Sequence, residues 1–154
     1  MTSESAKHQS VRSLLAADAT EILDDSNLDD QLWTLLCARV SDPSSIRDAP
    51  APVGHYYASR LVQWEVGNGG LTQAAYSAPL WFEQAAAGYD ELGKKDVAAL
   101  LRRARLIIPD DADDLEALED QFEALDSELF EMDWEIDDLR VAYVREHRDA
   151  FSVF

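Results

Sequence analysis

From Leu115 to Tyr143 the apolar residues recur at spacings that alternate between three and four: Leu115, Leu118, Phe122, Leu125, Leu129, Met132, Ile136, Leu139 and Tyr143. This is the seam of an α-helix sustained for about four heptads, as one long helix or as two segments in register. Helical spacings recur upstream. Val11, Leu14, Leu15, Ile22 and Leu23 mark a helix over residues 10–24. A second, from about Leu28 to Val40, buries Leu32, Leu35 and Leu36, with Ser26 or Asn27 as its cap and Asp29 and Asp30 in its first turn. Pro43, Pro50 and Pro52 place a connecting loop over 42–54. A third helix, His55 to Val66, turns Tyr57, Leu61 and Trp64 to one face and stops at Gly67-Asn68-Gly69-Gly70. A fourth runs from Leu71 to Leu92, bends near Pro79 and ends at Gly93. A fifth, over 94–108, faces inward with Val97, Leu100, Leu101, Ala104 and Ile108, and Pro109 closes it. No alternating strand pattern and no internal repeat is visible. The expected fold is all-α: one compact domain over 1–154, of six to seven helices, with a long acidic C-terminal helical segment.

The acids change this picture. The chain has 154 residues and a formal net charge of -18. Between Asp110 and Asp138 it places 15 Asp or Glu and no Lys or Arg, whereas residues 94–105 are net basic. The charge is therefore a block and not a uniform coat. If 110–138 is helical, its axis is about 43 Å long, which gives about one charge per 2.9 Å. One strand of B-DNA carries a phosphate about every 3.4 Å. A charge of this sign repels nucleic acid and anionic membrane surfaces and attracts basic proteins. With 47% hydrophobic residues the chain also has enough apolar surface for a core. Cys37 is the sole cysteine, so no intramolecular disulfide forms. The N-terminal residues lack the apolar run of a signal peptide, and no stretch approaches a membrane span, so the expected location is the cytoplasm.

Little in the sequence points to catalysis, a metal or a cofactor. A catalytic carboxylate pair needs a cleft and one shifted pKa. The run Asp110 to Asp120 lacks the sixth-position glycine of a calcium loop. His8, His55 and His147 lie far apart. Cys37, among Leu35, Leu36 and Val40, reads as a buried small hydrophobe, and Trp81, Phe82 and Tyr89 as core. The Asn68-Gly69-Gly70 triplet reads as a turn braced by Glu65 and Gln73; no lysine lies nearby to make it a phosphate nest. Lys94, Lys95, Arg102, Arg103 and Arg105 form a basic helix that neutralises part of the acidic block or binds an anionic partner.

Two stretches also resemble a known family. One is Glu65, Asn68-Gly69-Gly70 and Gln73, followed by Leu92-Gly93 and the small-residue run Val97-Ala98-Ala99. The other is Leu125-Asp126, Phe130, Tyr143-Val144-Arg145, His147 and Phe151. Over about 55–151 the chain resembles the helical DNA-mimic family of the neisserial DNA-mimic protein. Larger aromatic residues are common in that family where this chain has Leu71 and Ala74-Ala75. The resemblance implies an all-helical fold, homodimer formation, and a member that occupies the DNA-binding surface of a transcription factor.

The functional expectation is a non-enzymatic interaction protein whose acidic face blocks a basic DNA-binding protein, with no direct nucleic-acid or membrane binding. The expected partner-binding residues are Asp110, Asp111, Asp113, Asp114, Glu116, Glu119, Asp120, Glu123, Asp126, Glu131, Asp133 and Asp137, with Asp24, Asp25, Asp29 and Asp30 as secondary candidates. Two alternatives stand beside it: an immunity-type inhibitor of a basic toxin, and a structural protein acidic only through salt adaptation.

Overall fold

The computed structural model of the chain describes residues 10–110 and 114–154. Their regular structure is α1 (Val11–Thr20), α2 (Asp25–Cys37), α3 (Ala51–Ser77), α4 (Phe82–Glu91), α5 (Lys95–Ile107), α6 (Glu119–Leu129), α7 (Asp137–Glu146) and α8 (Arg148–Ser152). Short 3-10 turns lie at Pro43–Ile46, Pro79–Trp81 and Glu116–Leu118. No strand occurs among the described residues, so the fold is all-α. Among the described residues eight helices form where six or seven were expected: the acidic segment divides into α6 and α7, and α8 lies beyond the last expected element. By its contacts the chain divides into two units. One comprises the described residues of Met1–Val53 with Asp138–Phe154, the other those of Gly54–Asp137.

In the first unit, Ser10 and Ser13 form a capping box at the start of α1. The cap of α2 is Asp24, whose carboxylate accepts the Ser26 N–H at 2.9 Å, and not Ser26 or Asn27. An aspartate two residues ahead of the donor satisfies an orphan amide of the first turn more directly than a serine inside it. Asp29 and Asp30 consequently fall in the second turn, with Asp29 buried. α1 packs on α2 and α8, burying Leu14, Leu15, Leu28, Leu32, Leu36 and Phe151. α1 ends before Ile22, which is exposed. Cys37 is also exposed, contrary to expectation, because it follows the buried Leu36 by one residue and so points off the packed stripe.

The unit is pinned by one fully buried acid, Asp18. Its carboxylate accepts from the Leu23 N–H (3.0 Å), Arg145 Nε (3.2 Å) and Arg148 Nη2 (2.7 Å). Arg145 also donates to Asp25 at 2.6 Å and to the Leu23 carbonyl at 2.7 Å. Burial alone would raise the Asp18 pKa, but these hydrogen bonds outweigh it and hold the carboxyl below its usual range.

In the second unit, the helical hydrogen bonding of α3 continues through Gly67 and Asn68, and its backbone leaves the helix only at Gly69 and Gly70. α3 also starts earlier than expected, at Ala51, since Pro52 in a first turn has no intrahelical N–H bond to lose. Its buried stripe is Ala58, Val62 and Val66; Trp64, expected inside, is 62% exposed. Pro79 does more than bend the next segment. It ends α3 and starts a 3-10 turn that leads into α4. α4 lies against the α3 backbone through Gly88, where a β-carbon would sit 2.6 Å from the His55 carbonyl oxygen. It closes in a Schellman motif, with Lys94 N–H donating to the Tyr89 carbonyl (2.8 Å) and Gly93 N–H to the Asp90 carbonyl (3.0 Å). Trp81, Phe82 and Tyr89 are buried. α5 buries Val97, Leu100, Leu101 and Ala104, packing on α4 and α6.

The acidic segment is not one helix. α6 ends at Leu129, and α7 starts at Asp137. The residues between are fixed by side chains: the Tyr89 hydroxyl donates to the Trp134 carbonyl (2.9 Å), and the Ile136 N–H donates to Gln63 Oε1 (3.2 Å). Phe130 and Trp134 stack with centroids 5.6 Å apart. The expected seam is therefore not one continuous buried stripe. Leu115, Phe122, Leu125, Leu129 and Ile136 are buried, Leu118 and Met132 are half-buried, and Leu139 is 42% exposed, while α7 buries Arg140, Val141, Tyr143 and Val144.

Asp18→Ala should destabilise the first unit by about 3 kcal/mol in urea unfolding at pH 7, the range for removing one partner of a buried ion pair. Because the folded pKa lies below the unfolded one, this stabilisation is present above about pH 4 and is lost as pH falls through the folded value. Wild type and Asp18→Asn should therefore differ at neutral pH and converge in strong acid.

Candidate protein-interaction face

α6 divides its charges between two flanks. Phe122, Leu125 and Leu129 fix its buried stripe. On one side of that stripe lies Glu128, which takes a bidentate pair of hydrogen bonds from Arg103 of α5 at 2.6 and 3.0 Å. This pairing holds the Glu128 carboxyl below its usual range and raises the Arg103 pKa. Arg102 pairs with Asp90 at 2.6 Å and Lys94 with Asp133 at 2.9 Å. Much of the basic helix thus serves pairs inside the monomer, which leaves Glu128 and Asp133 already neutralised.

The other flank carries Glu116, Glu119, Asp120 and Glu123, all exposed. None of the four has an ion pair among the described residues. Glu119 and Asp120 sit in the first turn of α6, whose N-terminal cap lacks a side-chain bond, so the helix dipole also favours them there. Asp110, Asp114 and Glu131 are exposed as well. Asp111 and Asp113 lie outside the described residues. Asp137 is exposed, yet both its oxygens accept from Gln63 Nε2 at 3.2 Å. Among the secondary candidates, Asp25 is tied to Arg145, Asp24 serves as the α2 cap, and Asp29 is buried.

Asp126 faces inward. It is half-buried, and its Oδ1 accepts the Leu71 N–H at 2.8 Å. Leu71 is the first residue after the glycine break, so Asp126 caps the restarted helix from a distant point in the sequence. Gly70 has φ 74 and ψ -169, a region open essentially to glycine alone. A β-carbon there would lie 2.5 Å from Asp126 Oδ2. Gln73 Nε2 donates to Glu65 Oε2 (3.1 Å) across the same break and to Ser77 Oγ (2.8 Å) one turn further on. Burial pushes the Asp126 carboxyl up, the Leu71 bond pulls it back, and neighbouring Glu123 adds to the rise.

Between the end of α3 and α6 a groove of about 580 Å³ opens, lined by Thr72, Gln73 and Tyr76 on one side and by Leu115, Glu119, Asp120, Glu123 and Asp126 on the other. Among the described residues no Lys or Arg lines it. Tyr76 is 69% exposed. The described residues hold no group of three or more His, Cys, Asp or Glu arranged for a metal ion, and no described helix is long and apolar enough to cross a membrane.

Fold and charge together define an all-helical acidic protein. A family model described as DMP19-like protein matches residues 47–147, and the chain belongs to this family, a DNA-mimic type. Comparison with curated proteins and with solved structures returned no match.

Gly70→Ala should cost about 1–3 kcal/mol from backbone strain alone, read as a lower urea midpoint. Asp126→Ala should cost about 1–2 kcal/mol, since the Leu71 amide loses its acceptor. Asp126→Asn keeps an acceptor and removes the buried charge. A folded pKa raised above the unfolded one favours the folded state below about pH 4, an advantage lost as pH rises through the folded value. Asp126→Asn should accordingly match wild type in acid and equal or exceed its stability at pH 7.

Proposed function

We propose that the outward flank of α6 stands in for the phosphate array of DNA and occupies the DNA-binding surface of a basic protein such as a transcription factor. The observation that supports this reading most is the row Glu116, Glu119, Asp120 and Glu123: exposed, without ion pairs among the described residues, on a chain of a DNA-mimic family. With the three steps of the 3-10 turn at about 2.0 Å each and the four of α6 at about 1.5 Å each, the mean axial spacing of the charges is about 4 Å, comparable with the roughly 3.4 Å between phosphates on one strand. Asp110, Asp114 and Glu131 extend the same field, while Asp126, Asp133 and Asp137 are engaged internally and contribute less to contact. In this reading the chain acts without catalysis, in the cytoplasm, and as the homodimer that its family resemblance implies. Light scattering should return twice the 17.2 kDa chain mass.

The immobilised protein should retain basic DNA-binding proteins from a native lysate at low salt. Duplex DNA should then release them at an ionic strength where a neutral salt alone does not. Retention that survives excess duplex DNA would place the contact outside the DNA-binding surface and contradict the proposal.

A further inference from the structure

We propose that the groove between the end of α3 and α6 receives the guanidinium of an arginine from the basic partner, with the Tyr76 ring as one wall and the carboxylates of Glu119, Glu123 and Asp126 as the other. This inference rests on the reading of the α6 flank as a contact face, and it assigns that face a specific occupant. Three observations converge on it. First, an aromatic ring lies 69% exposed on the wall of a cleft, where a cation gains from its π-face. Secondly, the opposite wall is anionic, and among the described residues no basic side chain lines the groove. Thirdly, Asp126 is half-buried and lines the groove, it accepts from the Leu71 N–H through Oδ1, and no cationic side chain pairs with it among the described residues. Burial and the nearby Glu123 both push this carboxyl up, the state of an acid that gains from an incoming positive charge.

Guanidinium fits this arrangement better than ammonium. It is planar, so it stacks on a ring while its edge N–H groups donate to carboxylates, and it sheds water more readily. A lysine would find the same charge but not the stacking partner. The groove would therefore add a preference for arginine to a face that otherwise reads only charge. Thr72 and Gln73 complete the ring-side wall, and the Gln73 amide is already held by Glu65 and Ser77, so it does not compete for the carboxylates.

Fluorescence anisotropy with labelled octa-arginine and octa-lysine peptides tests this directly. At low salt the wild type should bind octa-arginine about fivefold more tightly, the ratio that a partly desolvated cation–π contact gives. Tyr76→Phe should keep the preference. Tyr76→Ala should abolish it, bringing octa-arginine to the affinity of octa-lysine while leaving octa-lysine unchanged; helical circular dichroism checks that each variant is folded. Thr72→Arg, which fills the groove from within, should likewise remove the preference. If both peptides bind equally, or if Tyr76→Ala retains the preference, the groove assignment is wrong while the acidic face stands. If neither peptide binds the wild type at low salt, the face and the groove both fall.

Discussion

The hydrogen bond from the Leu71 amide to Asp126 joins a chain break to the helix that carries the charge. Gly70 takes a backbone conformation that only glycine holds without strain, which leaves the next helical segment with unsatisfied amides. A carboxylate from α6 supplies the cap that no local residue provides. In doing so it sets the rotation of α6: with Asp126 turned to α3 and Phe122, Leu125 and Leu129 in the core, Glu116, Glu119, Asp120 and Glu123 have only the outward flank left. The Glu65–Gln73–Ser77 contacts brace the same break from the α3 side. A partly buried carboxylate with a raised pKa is a costly device for a cap, and its position holds the acidic flank and the groove wall in one geometry.

The charges of this second unit fall into two sets with different physics. Glu128, Asp133 and Asp90 pair with arginines or lysine on or beside α5; such exposed pairs are worth about 0–1 kcal/mol each and mainly cancel field. Among the described residues the outward row has no such pairing, so its potential reaches into solvent, screened over roughly 8–10 Å at physiological salt. This division answers why a packed segment bears so much negative charge. Uniform acidity for solubility would not call for bases held on one flank and left off the other.

Much of the fold was legible from periodicity. The buried faces of α2, α5 and α6 follow Leu32–Leu36, Val97–Leu101–Ala104 and Phe122–Leu125–Leu129, because a 3.6-residue period leaves a local trace. What failed was phase across breaks. Leu139 fits the spacing from Ile136 yet is exposed, since α7 starts afresh at Asp137 and buries Arg140, Val141, Tyr143 and Val144 instead, and the contacts that fix the loop before it come from Tyr89, Lys94 and Gln63, some 40 to 70 residues away. Trp64 fails differently: Val62 and Val66 take the buried face beside it. For the site, the sequence marked the acidic block but could not sort it. Asp126 looks like its neighbours until Gly70 is seen against it. Asp18, the pin of the other unit, gave no signal at all, because its partners Arg145 and Arg148 lie well over a hundred residues away in the chain.

The central claim is that the outward acids, and not the chain's total charge, make the contact. It is tested most directly by association kinetics of a purified captured partner across a salt series. The comparison is between a control carrying Glu128→Gln and Asp133→Asn, the acids paired with Arg103 and Lys94, and a variant carrying Glu116→Gln, Glu119→Gln, Asp120→Asn and Glu123→Gln. The neutralised flank should lower the on-rate at low salt by tenfold or more and flatten its salt dependence, while the Glu128→Gln, Asp133→Asn control should stay within about twofold of wild type. If the folded four-site variant associates at the wild-type rate with the wild-type salt slope, the flank is not the contact surface and the account is wrong.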